Sequence, residues 1–192
     1  CTNAALNALA AGIFILEQGE SGLNKITEDA HKMAMQFVEG IEKISGFKVF
    51  SSGPIFREVV VESAISADKL QKVLAEKHGI DAGFDISQGF PYLGKNLIQF
   101  SFTGRHTPEE VDGLLDALSK ISKELDVKEV IKEHAKLTGM PDSIKRDKLD
   151  IPYIPEETLR EIISELNKLN YNPIEQPYPL GSCTMMYNPL IN

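Results

Sequence analysis

The spacing of apolar residues changes along this chain, and that change limits the possible folds more than any other feature of the sequence. Up to about residue 44 the apolar residues recur with a helical period, and Gly19 is placed as a break between two helices, the second of which is expected over roughly Leu23 to Ile44. From Phe47 onward they alternate or cluster in β-branched runs such as Val59–Val61, which are typical of strands. Helical patterns follow each predicted strand pair. The order β-β-α-β-β-α predicts an α+β fold, in which helices pack on a small, mainly antiparallel sheet.

Two further patterns place the later elements of this predicted domain. Residues 96–103 alternate apolar and polar side chains, and residues 83–90 are predicted to form the strand beside them. Thr107 then offers an N-cap hydroxyl, Pro108 occupies the first helical position, and Glu110 stands at the third. That combination predicts the start of a helix. We expect residues 1–126 to form one α+β domain.

The rest of the chain differs in composition from this first part. Residues 127–150 are rich in charged side chains and predict a helix followed by a linker. Residues 151–192 contain several prolines and predict an extended arm with one short helix over 156–169. Because such an arm cannot form its own core, we expect it to lie along another surface or to be disordered.

Charge and cysteine usage exclude several classes of function. The 28 acidic residues outnumber the 20 basic ones, so we expect no general attraction to nucleic acid or to an anionic membrane. The longest apolar stretches are shorter than the roughly 20 residues that span a bilayer. Cys1 and Cys183 form no CxxC or Cys/His cluster, which argues against a disulfide framework and against a metal site. We expect a soluble protein of the cytoplasm, or of the mitochondrial matrix in a eukaryote, and a chain cut from a longer one because it opens on cysteine.

A loop near the end of the sequence concentrates the residues that could carry chemistry. Between Tyr178 and Pro189 lie a glycine, two hydroxyls, a thiol and an amide, flanked by prolines. Prolines restrict the backbone and Gly181 permits close approach, which suits a loop that binds an anion or faces a substrate. An ordinary turn with small polar residues has the same composition. The residues alone leave both interpretations open.

At this point the sequence resembles a known family. Tyr178–Asn192 resembles a segment near the start of the second, catalytic subunit of glycine dehydrogenase (decarboxylating), the P-protein of the glycine cleavage system. Cys1–Leu6 is similar to a helix start in the first subunit, and Gly53–Val60 and Thr103–Leu114 are similar to its C-terminal segments.

The resemblance implies a junction between two halves of that enzyme. Residues 1 to about 126 resemble the C-terminal small domain of the first subunit, and about 147 to 192 resemble the N-terminal arm of the second. The linker would then mark the fusion of the two halves. The implied fold is that of the C-terminal domain of fold-type-I pyridoxal-phosphate enzymes, followed by an extended arm.

The resemblance also implies a reaction, a cofactor and partners for the parent enzyme. Such an enzyme uses pyridoxal phosphate to decarboxylate glycine and passes the aminomethyl group to the lipoyl arm of the H-protein. In the family the cofactor lysine lies in a His-Lys segment well downstream of the loop, beyond these 192 residues. We therefore expect no catalytic residue and no covalently bound cofactor in this chain, and inactivity when it is alone. Its partners would be the remaining P-protein domains or subunits.

The same resemblance assigns the loop residues to the substrate cleft. Gly181, Ser182, Cys183 and Thr184 are the residues that it places there. Met186 stands where the family usually has lysine, so the loop has lost a cation that relatives carry.

Other candidates are weaker, and a second function stays open. They are Lys48, Lys95, Cys1, Cys183, Arg57, Arg105, His31, His78, His106 and His134. The two lysines lack the His-Lys context of a cofactor lysine. No spacing joins a cysteine to a histidine that could activate it as a nucleophile. The arginines suit solvated strand ends as well as anion binding. The alternative function is a free-standing, non-catalytic α+β binding or regulatory domain.

Overall fold

The computed structural model describes residues 4–50, 53–127, 143 and 146–169. The chain divides into two compact units, one made of Cys1–Leu23 with Lys148–Asn192 and the other of Asn24–Asp147. The elements of the described residues are α1 (Ala5–Ile41), β1 (Phe47–Val49), β2 (Glu58–Ser63), α2 (Ala67–His78), β3 (Phe84–Asp85), β4 (Leu97–Ser101), α3 (Pro108–Glu124) and α4 (Glu156–Asn167). The predicted order of strands and helices is confirmed. No helix in these ranges is long and apolar enough to cross a membrane.

The four strands form one antiparallel sheet in the unit Asn24–Asp147. Their spatial order is β1-β2-β4-β3, so β2 and β4 are the central strands. Val61 of β2 lies opposite Val49 of β1 on one side and opposite Ile98 of β4 on the other. The short β3 pairs with β4, with Phe84 opposite Gln99. This sheet confirms the α+β expectation.

The core of this unit lies between the sheet and the helices. Alternate strand residues face the helices, as the pattern of buried and half-buried positions along β2 shows. Phe37 of α1 is fully buried, and its ring centroid lies 4.8 Å from that of Phe100 and 5.1 Å from that of Phe102. Leu70 and Leu74 of α2 and Leu118 and Ile121 of α3 complete the same cluster. Burial of these apolar side chains is the main stabilising contribution to the unit.

Gly19 breaks α1, as the sequence predicts. Its φ of 59° and ψ of −171° are not helical, and glycine adopts such a conformation at the lowest cost. The break leaves the Leu16 carbonyl available, and Ile154 N–H donates to it at 2.9 Å. A side chain at residue 19 would place its Cβ 2.9 Å from the Cβ of Tyr153. The glycine therefore allows the segment before α4 to pack against this point of α1.

The predicted second helix and the predicted third strand need correction. The helix was expected to begin at Leu23, whereas α1 resumes directly after Gly19. The strand expected over 83–90 is only Phe84–Asp85. The Asp85 carboxylate accepts the Ser87 N–H at 2.8 Å, which turns the chain out of the sheet before further pairs can form.

Candidate functional site

The loop that the sequence assigns to a substrate cleft lies outside the described residues. This applies to Gly181, Ser182, Cys183, Thr184 and Met186. Cys1 and His134 lie outside them too. Their roles therefore stay predictions.

A cavity of about 650 Å³ in the unit Asn24–Asp147 is the candidate site that the structure shows. Three segments line it: the connection from α2 to β3 (79–84), the end of β4 and the residue after it (99–102), and His106 with the first turns of α3. This volume lies within the range that small-molecule pockets occupy.

The cavity exists because the chain joins the sheet late: its ladder with β4 begins only at Phe84, opposite Gln99. Gly83 directly precedes Phe84, the first residue of β3. It has a φ of +83°, and a Cβ there would come 2.7 Å from the Cγ2 of Ile98. The Gln71 side-chain amide donates to the Gly83 carbonyl at 2.6 Å and fixes the connection in this path. The chain before β3 thus diverges from β4 and leaves an opening at the edge of the sheet.

The start of α3 forms the opposite wall, and its capping box fixes that wall. Thr107 Oγ1 accepts the Glu110 N–H at 3.3 Å, and the Glu110 carboxylate accepts the Thr107 N–H at 2.9 Å. The helix start predicted from these residues is confirmed. Val111 and Leu114 are buried beneath the cavity, whereas a Cβ built on Gly113 meets no atom within 4 Å.

His106 is the one histidine among the lining residues. Its Nδ1 accepts the Thr103 N–H at 2.9 Å, so the hydrogen of the neutral ring is on Nε2. The ring also lies edge-on to Phe102, with centroids 6.0 Å apart. The sequence did not distinguish this histidine from the others, because the contact with Thr103 depends on the turn between β4 and α3.

The other candidate histidines have separate surroundings. His31 Nδ1 lies 2.9 Å from the Phe56 carbonyl, and its ring stacks on Phe56 with centroids 6.3 Å apart. His78 Nε2 is buried without a hydrogen-bond partner among the described residues. Neither residue lines the cavity. His31, His78 and His106, the three histidines among the described residues, therefore lie in three separate places.

The cavity does not fit pyridoxal phosphate. That cofactor needs a lysine amine for its aldehyde and donors or cations for its phosphate. The described lining residues include two carboxylates, those of Asp81 and Glu110, and no lysine or arginine. Neither Lys95 nor Arg105 is among them, so no step of cofactor chemistry is assigned to this cavity.

Other predicted cations are held in surface ion pairs. Lys48 Nζ lies 2.7 Å from a Glu42 carboxylate oxygen, and Arg57 Nε lies 3.3 Å from one of Glu58. Neither cation borders the cavity. The position of Arg57, half exposed directly before β2, agrees with the simpler interpretation of a solvated strand end.

A His-Lys pair that sequence reasoning passed over is also placed on the surface. It is His31-Lys32 in α1, and Lys32 Nζ lies 3.7 Å from an Asp29 carboxylate oxygen with two thirds of its side chain exposed. The dipeptide is in the middle of a helix and away from the cavity lining. It therefore does not form a cofactor site among the described residues.

Carboxylates with shifted pKa values lie on the helix surfaces. Hydrogen bonds from lysine ammonium groups lower the pKa of Asp29, Asp116 and Glu124, and the donors are Lys25, Lys120 and Lys77. Among the described residues there is no group of three or more histidine, cysteine, aspartate or glutamate side chains arranged for a metal ion. The shifts reflect surface ion pairs and mark no catalytic centre.

Comparison with known proteins shows what this chain is similar to. No family model matches the sequence. A probable glycine dehydrogenase (decarboxylating) subunit 1 of Moorella thermoacetica is 34% identical over 121 residues, which are 63% of this chain and 27% of that protein. The Carboxydothermus hydrogenoformans protein of the same name is 36% identical over 118 residues, or 62% of this chain and 26% of its own length.

A solved structure agrees with these relatives. The crystal structure of an inhibitor-bound glycine decarboxylase (P-protein) of the glycine cleavage system matches with a TM-score of 0.57 and 25% identity, over 63% of this chain and 27% of that one. The chain thus spans about a quarter of the length of the proteins that it matches. The resemblance to the first subunit and the predicted fold class are confirmed.

Proposed function

We propose that this chain is a portion of a pyridoxal-phosphate-dependent glycine decarboxylase and packs against the domains that hold the cofactor. The observation that carries the proposal is the 34% identity, over 121 residues, to a protein named as subunit 1 of that enzyme. The similar fold of a glycine decarboxylase structure supports it. Decarboxylation of glycine and transfer to the H-protein are the activity proposed for the complete enzyme.

The composition and exposure of the first half of α1 support its packing against a large partner domain. Residues 4–16 contain no charged side chain, and their apolar residues are distributed around the helix. Leu6 is 79% exposed, Leu9 61% and Phe14 46%. A helix that is apolar on all sides is ordinarily buried within a larger protein. In the proposed enzyme, the cofactor-bearing domains cover this helix.

In the proposed enzyme, this chain contributes a loop to the substrate cleft, and the rest of the protein contributes the cofactor lysine. By the family resemblance, the Schiff-base lysine belongs to a His-Lys segment outside these 192 residues, and the absence of lysine from the described lining of the cavity is compatible with that assignment. The loop of Gly181, Ser182, Cys183 and Thr184 contributes polar groups to the substrate cleft. Met186 gives that loop no side-chain cation, which weakens the case for ligand contact at this position.

Borohydride trapping on the purified chain tests whether it contains a lysine that forms a Schiff base with pyridoxal phosphate. The chain is mixed with pyridoxal phosphate and reduced with borohydride, and intact and peptide masses are measured. We expect only scattered, substoichiometric labelling of exposed lysines, and the Lys32→Ala variant should behave identically. A single, stoichiometric pyridoxyl label contradicts the proposal. A known complete glycine decarboxylase is the positive control.

The complete reading frame separates this proposal from the alternative. A frame that encodes large flanking domains, with a His-Lys segment downstream of the loop, supports the decarboxylase. A stop codon directly after Asn192, with no upstream coding sequence for a cofactor domain, supports the free-standing binding or regulatory domain.

A further inference from the structure

The cavity lies against an unpaired part of the edge of β4. Phe102 N–H donates to the Arg57 carbonyl on the β2 side of the strand at 2.9 Å. Because successive residues direct their backbone groups to opposite neighbours, the N–H and C=O of Ser101 face the β3 side. The β3 ladder stops before that point, with Phe84 opposite Gln99. No described backbone group therefore pairs with Ser101 on this side.

The unpaired edge is short and closed at both ends. Beyond Ser101, the Thr103 N–H donates to His106 Nδ1 at 2.9 Å, and the Thr103 carbonyl accepts the His106 N–H at 3.2 Å. Before it, the turn at Gly83 returns the chain to its ladder with β4. The opening offers one donor and one acceptor, which is the pattern of a single bridge to another strand.

The shape of the cavity suits an extended backbone with alternating side chains. Its floor includes buried Phe100, Val111 and Leu114, which can contact one apolar side chain. The open space at Gly113 leaves room for that side chain beside α3. In an extended segment the neighbouring side chains point away from this floor, and long basic side chains there can bend back to exposed carboxylates at the edge of the cavity.

The charge of the lining favours a cationic occupant. Asp81 stands on the wall before β3 and Glu110 on the wall formed by α3, and both residues are exposed. No lysine or arginine is among the described lining residues. Opposite charges attract and orient a partner, whereas an acidic segment would be repelled.

The cavity and the unpaired edge of β4 at Ser101 together form a slot. We propose that this slot binds an extended basic segment of a partner polypeptide, in which lysine or arginine alternates with an apolar residue. The segment adds to β4 as a strand and exchanges two hydrogen bonds with Ser101. One apolar side chain enters beside Gly113, and basic side chains meet Asp81 and Glu110. This mode of binding adds a strand to an exposed sheet edge. It is independent of the proposed decarboxylase function.

Binding is measured with a defined probe and the full 192-residue chain. The probe is a fluorescein-labelled peptide of three Lys-Val repeats, followed by fluorescence anisotropy. We expect saturable binding, at least tenfold weaker binding of a Glu-Val peptide, and a shift of the Ser101 amide in ¹⁵N NMR spectra. No saturable binding of the Lys-Val peptide, or equal binding of the acidic one, overturns the proposal.

Two pairs of variants locate the binding site. Gly113→Leu places a side chain in the open space, where a Cβ meets no atom within 4 Å, and should weaken binding at least tenfold. Gly12→Leu is its matched control, because Gly12 is also helical and also has no atom within 4 Å of a Cβ. Ser101→Pro removes the edge donor and should weaken binding, whereas Ser101→Ala retains that donor and should leave binding unchanged.

Other occupants give distinguishable results. If a second copy of the chain fills the slot, size-exclusion chromatography with light scattering shows a dimer that Gly113→Leu dissociates, and the proposal is wrong. Binding that survives both Gly113→Leu and Ser101→Pro places the peptide elsewhere and also overturns it. Far-UV circular dichroism establishes that each variant is folded, and Gly113→Ala provides a smaller substitution if the leucine variant does not fold.

Discussion

Replacement of Phe37 by alanine should cost the unit Asn24–Asp147 a large part of its stability. Phe37 is fully buried, and its ring contacts those of Phe100 and Phe102 at centroid distances of 4.8 and 5.1 Å. Truncation of a buried phenylalanine to alanine costs about 3–5 kcal/mol through lost burial and the cavity left behind. Because two aromatic contacts are lost at once, we expect a value in the upper half of that range, about 4 kcal/mol.

A second phenylalanine of the same helix provides the control. Phe14 lies in the first half of α1 with 46% of its surface exposed, so Phe14→Ala should cost less than about 1 kcal/mol. Urea unfolding followed by far-UV circular dichroism measures both variants against the parent chain. Since domains are stable by only about 5–15 kcal/mol, the Phe37 variant should unfold at much lower urea. A loss below about 2 kcal/mol, or equal losses for the two variants, would refute this account of the core.

Three further outcomes follow from individual contacts. Thr107→Ala should lower stability by about 1 kcal/mol in urea unfolding because it removes the capping hydroxyl, whereas Thr107→Ser should retain most of it. Gly113→Ala should raise stability by about 0.5–1 kcal/mol, since its helical position has open space for a methyl group. Lys77→Ala should raise the pKa of Glu124 toward its ordinary value in a carboxyl NMR titration, because the hydrogen bond from Lys77 lowers it. The lowered pKa stabilises the fold above the unfolded-state pKa, and this contribution is lost as pH falls through the folded-state value. Unchanged stability of the Thr107→Ala variant would contradict the capping hydrogen bond. A loss of stability in Gly113→Ala would contradict the open space there, and an unchanged Glu124 pKa in Lys77→Ala would contradict the hydrogen bond between them.

Local patterns were sufficient to predict most of the fold. The alternation over 96–103 and the β-branched run at Val59–Val61 correspond to the two central strands, which pair with each other. The N-cap sequence at Thr107 predicted the start of α3 because its hydrogen bonds are made within four residues. Gly19 predicted the break in α1 because few other residues tolerate its φ of 59°. Each of these features depends on a few neighbouring residues.

The cavity could not be predicted from sequence in the same way. It depends on where the chain joins the sheet at β3, and that point is set by Gly83 and by a hydrogen bond from Gln71, twelve residues before Gly83 in the chain. Periodicity over 83–90 indicated a longer strand, but in the observed antiparallel register Ser101 stands opposite residue 82, so even the predicted strand would leave that edge uncovered. The opening is therefore a product of tertiary contacts, which the residue pattern does not contain.

The position of His106 shows the same limit. From sequence it was one of four histidines without a distinguishing context. The turn after β4 brings its Nδ1 to the Thr103 N–H and closes one end of the slot. A polar residue three positions after a predicted strand could have suggested such a turn, but the side on which the ring lies depends on the packing of Phe102.

The most direct test compares release of labelled CO₂ from carboxyl-labelled glycine by two samples, each supplied with pyridoxal phosphate and lipoylated H-protein. One is the isolated chain, and the other is the polypeptide translated from the complete reading frame. We expect the complete polypeptide to release labelled CO₂ and the 192-residue chain to release none above background. Turnover by the isolated chain, or a longer polypeptide that leaves glycine unchanged, would contradict it.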